Sequence, residues 1–154
     1  MKWITKDIDI YLQSKEYVDT AVIPLFPNSW IDQVKSTVAL GEYITVLANE
    51  VERQFKGRII LFPPFTYAGS EEVSSRLSRL QHWSEDVKKG GIKHIVYLTS
   101  DSEWKQVEQE VSGSLIWFPT LPLEYVDENY KQKIIQDQTK QLISLFMDTW
   151  QQTK

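Results

Sequence analysis

Apolar residues follow two kinds of pattern along the chain. Four short runs, at 20–25, 58–62, 93–98 and 114–118, are continuously apolar, as in Ile59-Ile60-Leu61-Phe62 and Ile95-Val96-Tyr97-Leu98. Strands covered on both faces read this way, whereas a half-exposed strand alternates. Between the runs, apolar positions recur mostly every three or four residues, the period of a helix with one buried stripe. Residues 36–56 carry Val38, Ile44, Leu47, Val51 and Phe55 and stop at Gly57, while 70–89 carry Val73, Leu77, Leu80, Trp83 and Val87 and stop at Gly90-Gly91. Trp104, Val107 and Val111 fit a short helix. Ile135, Leu142, Phe146 and Trp150 fit a long one over 127–152, and 5–16 reads as an opening helix that buries Ile4, Ile8, Tyr11 and Leu12. Strands alternating with helices need a parallel sheet covered above and below. The expected class is α/β: a three-layer α/β/α sandwich with a mainly parallel four-stranded sheet, in one domain spanning residues 1–154.

Composition agrees with one globular unit. Hydrophobic residues make up 42% and charged residues 25% of the 154, and the six Trp, seven Tyr and six Phe supply large groups to fill a core. The chain has no cysteine, which excludes disulfides, thiolate metal sites and thiol nucleophiles. A net charge of -4 gives no electrostatic footprint for nucleic acid or an anionic membrane, and no apolar run approaches the ~20 residues of a membrane span. The charged start, Met1-Lys2-Trp3-Ile4-Thr5-Lys6-Asp7, does not read as a secretory signal, so the cytoplasm is the expected compartment.

In open parallel sheets, ligands bind outside the C-terminal ends of the strands. The loops expected there are 27–30, 63–70, 99–103 and 119–125, and they contain hydroxyls, aromatics and carboxylates but no histidine, lysine or arginine. No glycine-rich phosphate loop occurs anywhere in the chain. Of the two histidines, His82 falls about 180° from the buried stripe of its helix, at about 100° per residue, and His94 opens its strand at the opposite edge. Asp101 is the strongest candidate for a reactive group. Its neighbours also read as a capping box, in which the Ser100 hydroxyl takes the Glu103 amide, Glu103 returns the bond and Asp101 meets the helix dipole. Acids gather at this edge and bases at the other, as helix dipoles alone require; the functional version is an edge that attracts a divalent cation or a basic peptide. Trp30, Phe65, Tyr67 and Tyr125 either line a pocket or partner surface here or plug the top of the sheet.

Met1-Lys2-Trp3, followed by the stretch from Tyr11 through Asp19-Thr20-Ala21-Val22-Ile23-Pro24-Leu25, resembles the YpiF-like family of short uncharacterised proteins from Bacillus-type bacteria. That resemblance brings no activity. A more distant one is to the creatininase-like amidohydrolases. Ala21-Val22-Ile23-Pro24-Leu25 is similar to their first strand, Pro63 through Glu72 to the loop after the second, and Gly91-Ile92-Lys93-His94-Ile95-Val96-Tyr97-Leu98 to the third. It implies a layered α/β/α fold. It does not imply the metal centre, because the places of the Glu-x-His and Gly-His-Gly-Gly motifs read Asn28-Ser29-Trp30 and Ser100-Asp101-Ser102.

The expected function is a non-catalytic binding or regulatory module that engages a protein partner or a small organic ligand. Its binding residues are Asn28, Ser29, Trp30, Phe65, Thr66, Tyr67, Ser70, Ser100, Asp101 and Tyr125, with no cofactor, no metal and no catalytic residue; a homodimer is one way to cover the sheet edges. The alternative is a carboxylate-dependent hydrolase of degenerate creatininase-like type, in which Asp101 with Glu124 or Glu103 binds Mg²⁺ or Mn²⁺ and Ser70 or Tyr67 orients the substrate.

Overall fold

The computed structural model describes residues 1–152. In chain order the elements are α1 (Thr5–Gln13), β1 (Thr20–Asn28), α2 (Val34–Gln54), β2 (Ile59–Leu61), β3 (Phe65–Ala68), α3 (Val73–Lys89), β4 (His94–Thr99), a short 3₁₀ helix (Ser102–Val107), β5 (Ser114–Trp117) and α4 (Glu128–Gln152). The sheet runs β2-β1-β4-β5, with β3 also paired to β1, and every pairing is parallel. It therefore has five strands rather than the four expected.

The extra strand follows from two prolines. Pro63-Pro64 supplies two consecutive residues without an N–H, so β2 cannot continue past Phe62. The chain resumes as β3 one step further along the same neighbour. β1 is nine residues long; its first part pairs with β2 from Thr20↔Ile59 to Val22↔Leu61, and its last part pairs with β3 from Leu25↔Phe65 to Asn28↔Ala68. Pro24 sits where the pairing passes from one partner to the other. By the alternation of a strand it faces the same side as Val22, whose carbonyl accepts from the Phe62 amide at 2.9 Å, so its missing N–H falls at the junction.

Alternate residues of β1 and β4 enter opposite cores, which is why both strands read as unbroken apolar runs. Ala21, Ile23, Leu25, Ile95 and Tyr97 pack with Leu80 and Val87 of α3 and with Trp104. Val22, Val96 and Leu98 pack with Ile44, Leu47 and Val51 of α2 and with Leu142, Phe146 and Trp150 of α4. The three-layer α/β/α arrangement is thereby complete.

Several expected details differ. α1 has no fully buried residue: Ile8 and Tyr11 pack partly on the first core, whereas Ile4 and Leu12 are exposed. The helix is too short and lies too far outside to bury both sides. Val38 is likewise exposed on α2, because the buried stripe there starts only at Tyr43 and Ile44. The stripe of α3 lies on the expected face, but its fully buried members are Arg76, Leu80, Ser84 and Val87, while Val73, Leu77 and Trp83 flank it only half-buried. Glu52 is buried at 2% exposure and pairs with the amino group of Met1 at 3.1 Å.

Candidate functional site

The C-terminal ends of β1, β3 and β4 open into a cleft of about 940 Å³. Its walls come from the turn after β1, the first turn of α2, the turn after β3 and the segment that leads into the 3₁₀ helix. Of the residues expected to bind, Asn28, Ser29, Trp30, Ser70, Ser100 and Asp101 all line it. Asp32, Gln33, Ser36, Thr37, Ser102 and Glu103 complete a lining of hydroxyls, amides and carboxylates, with Ile31 and Leu40 as apolar members.

The floor of the cleft is held by a hydrogen-bonded strut. The Thr99 hydroxyl donates to the Leu25 carbonyl at 3.1 Å and accepts from the Asp101 amide at 3.0 Å, tying β4 to β1 at their tips. Asp101 is thereby fixed with both carboxylate oxygens engaged: Oδ1 accepts from the Glu103 amide at 3.0 Å, and Oδ2 accepts from the Tyr67 hydroxyl at 2.6 Å. The Tyr67 hydroxyl in turn accepts from Trp104 Nε1 at 2.7 Å. Arg76 lies beneath at 2% exposure, its guanidinium 4.5 Å from the centre of the Tyr67 ring, 3.9 Å from Asp101 Oδ2 and 3.3 Å from Glu103 Oε2; it also donates to the Gly69 carbonyl at 2.9 Å. Burial, then the hydrogen bond and negative charge of Asp101, push the Tyr67 hydroxyl far above the usual phenol range. Tyr67 therefore stays a neutral donor to a fixed carboxylate.

This geometry revises four expectations. The cap of the 3₁₀ helix is Asp101 rather than Ser100, whose buried hydroxyl has no hydrogen-bond partner among the described residues. Phe65 and Tyr67 are strand residues, not loop residues; they alternate with exposed Thr66 and Ala68 and enter the core at 0% and 2% exposure, so neither presents a ring at the surface. Thr66 lines a neighbouring groove instead of the cleft. Tyr125 is 93% exposed in a left-handed backbone conformation, φ 61°, with Lys35 stacked on its ring and no part in the cleft.

Of the carboxylates in the alternative reading, Asp101 and Glu103 both lie against Arg76 at the cleft, but Glu124 does not join them. Glu124 pairs with Lys35 at 3.1 Å, which lowers its pKa, and lines a separate groove between α2 and the segment before α4. Among the described residues, no group of three or more His, Cys, Asp and Glu side chains is placed to hold a metal ion. His82 is exposed on α3, and His94 opens β4 at the far edge, 3.9 Å from Asp19.

Arg76 is the residue that loop composition missed. It reaches the site from inside α3, and the signal for it was a cation at a spacing of four from Leu80 on a helix face that must be buried.

Fold and site together define a class: a parallel-sheet α/β/α domain with a polar cleft at its C-terminal edge, floored by a locked tyrosine–aspartate–arginine cluster. The chain belongs to the family described as "Protein of unknown function (DUF2487)", whose model matches residues 9–150. It is 34% identical over 150 residues to the "Uncharacterized protein YpiF" of Bacillus subtilis (strain 168), covering 97% of this chain and 98% of that protein. No solved structure matches it, and neither the family match nor the relative supports the creatininase-like resemblance. Among the described residues, no helix is long and apolar enough to cross a membrane.

Proposed function

We propose that this protein is a non-catalytic binding module that takes a small organic ligand into the cleft above β1, β3 and β4. One observation carries the reading: the carboxylate best placed for chemistry is fixed in place by the fold. Asp101 has its Oδ1 on the Glu103 amide and its Oδ2 on the Tyr67 hydroxyl, with Arg76 nearby. A general base must be free to turn toward its substrate, whereas both Asp101 oxygens are already fixed on protein donors, and a metal ligand needs companions. The cleft, by contrast, is lined with polar groups on a rigid floor and rimmed by Trp30, which is 80% exposed. Small-molecule sites use such a preformed concavity with a few fixed polar groups and an aromatic wall.

The test is a ligand-observed NMR screen of small polar molecules against the wild-type protein and a Ser70→Phe variant. Ser70 is an exposed cleft residue, so a ring there fills the cavity without entering the core. Binders that lose their signal in the plugged variant support the reading. An absence of binders to the wild type, or binders unaffected by the plug, overturns it.

A further inference from the structure

We infer that the ligand is amphipathic, with a cationic head in the polar cleft and an apolar tail in the groove beside it. This rests on the binding reading above and names the chemical class that the site would take. The groove holds about 600 Å³ and runs along the first half of α2; Phe26, Val38, Gly41 and Val46 give it apolar walls. It shares Pro27, Asn28, Ser29, Trp30 and Thr37 with the cleft, so the two form one trough with Trp30 at their junction.

Three observations favour this occupant. The charged residues lining the trough are Asp32, Glu42, Asp101 and Glu103, with no lysine, arginine or histidine among the lining residues of either part. Arg76 beneath the floor offsets part of the charge of Asp101 and Glu103, but four carboxylates against one guanidinium leave the trough negative, so a cation is favoured over an anion there and gains further from the indole face of Trp30. The apolar groups of the groove are also left uncovered by the fold: Trp30 is 80% and Val38 51% exposed, on a wall where an aliphatic chain would bury them. Finally, α2 carries a glycine within its length where the groove needs room. A Cβ on Gly41 would meet the Phe26 ring at 3.4 Å, and a longer side chain would occupy the groove. Glycine weakens a helix interior, and here it keeps the floor of the groove open.

The experiment is calorimetric titration with octyltrimethylammonium below its micellar concentration, against tetramethylammonium (head alone) and octyl sulfate (same tail, opposite charge). Wild type, Gly41→Leu and Trp30→Ala are compared, with circular dichroism to confirm that each is folded. The expected result is at least tenfold tighter binding of octyltrimethylammonium than of either comparator, with the gain over tetramethylammonium lost in Gly41→Leu and reduced in Trp30→Ala. Equal binding of octyl sulfate, or a tail gain that survives both substitutions, overturns the inference. If tetramethylammonium binds as tightly as the octyl compound, the tail assignment fails while the cleft stands as a binding site; the Ser70→Phe screen tests the cleft separately.

Discussion

Replacing Tyr67 with phenylalanine removes one oxygen atom and leaves the ring in place. That oxygen accepts from Trp104 Nε1 at 2.7 Å and donates to Asp101 Oδ2 at 2.6 Å. Trp104 is 1% exposed, so its indole N–H would find no water, and a buried donor without a partner costs about 1–3 kcal/mol. The bond to the carboxylate is charge-assisted, worth about 1.5–3 kcal/mol in general. Here it is discounted, because the Asp101 side chain is 12% exposed and keeps the Glu103 amide. The expected loss is about 2–4 kcal/mol, which for a domain of this size lowers the melting midpoint by roughly 4–16 °C. Urea unfolding followed by tryptophan fluorescence should show a lower midpoint at an unchanged slope. The same variant has a pH signature. Tyr67 is held protonated in the folded state, whereas the unfolded phenol ionises near pH ~10, so its contribution is complete below that pH and is lost as pH rises beyond it. Tyr97, raised by burial, and Tyr43, pushed up to about 12 by burial, act in the same direction. The alkaline fall in stability should therefore be shallower in Tyr67→Phe than in wild type. A loss below about 0.5 kcal/mol together with superimposable alkaline limbs would refute the strut.

Gly113→Ala should destabilise by about 3 kcal/mol or more, or abolish soluble expression, because its Cβ would lie 2.3 Å from the Ile95 carbonyl oxygen and the strands must part; a folded variant within 1 kcal/mol of wild type by the same urea assay contradicts that approach. Asp19 gives the acid counterpart of Tyr67. Burial pushes its carboxyl up, but hydrogen bonds from Arg58 and Thr20 and the charges of Arg58 and His94 outweigh this and hold it below the usual range. Its contribution is present above the unfolded value near ~3.9 and lost as pH falls through the folded one, so Asp19→Asn should flatten the acid limb below pH ~4 in a thermal-melt series. Trp30→Ala should leave stability within about 0.5 kcal/mol of wild type, as expected for a ring that is 80% exposed; a larger loss in urea unfolding would mean that the rim is part of the core.

The layered fold could be read from the chain because both faces of β1 and β4 are covered, which is what runs such as Ile95-Val96-Tyr97-Leu98, alternating with helical stripes, require. β3 was hidden by its prolines. Pro63-Pro64 reads as a loop, although Phe65 and Tyr67 alternating with Thr66 and Ala68 carry the period of a half-buried strand. Reading that segment as a loop left two core rings open between a binding surface and the top of the sheet. The Ser100 cap failed for a geometric reason: a 3₁₀ turn starting at Ser102 puts the Glu103 amide within reach of Asp101 rather than of Ser100. The position of the cleft was legible from the edge rule for parallel sheets, since Asn28, Ser29, Ser100 and Asp101 lie at the ends of strands that the sequence marks clearly. Arg76 was not sought, because a loop inventory omits side chains that reach the same edge from inside a helix.

The most direct test of the binding account is fluorine NMR on protein labelled with 5-fluorotryptophan. Its six tryptophans give one resonance each, and the Trp30→Phe variant assigns the signal at the rim. Titration with octyltrimethylammonium should move the Trp30 resonance saturably while buried Trp104 stays fixed. A stationary Trp30, with changes confined to Trp3 or Trp83 on the other face of the sheet, would contradict the account.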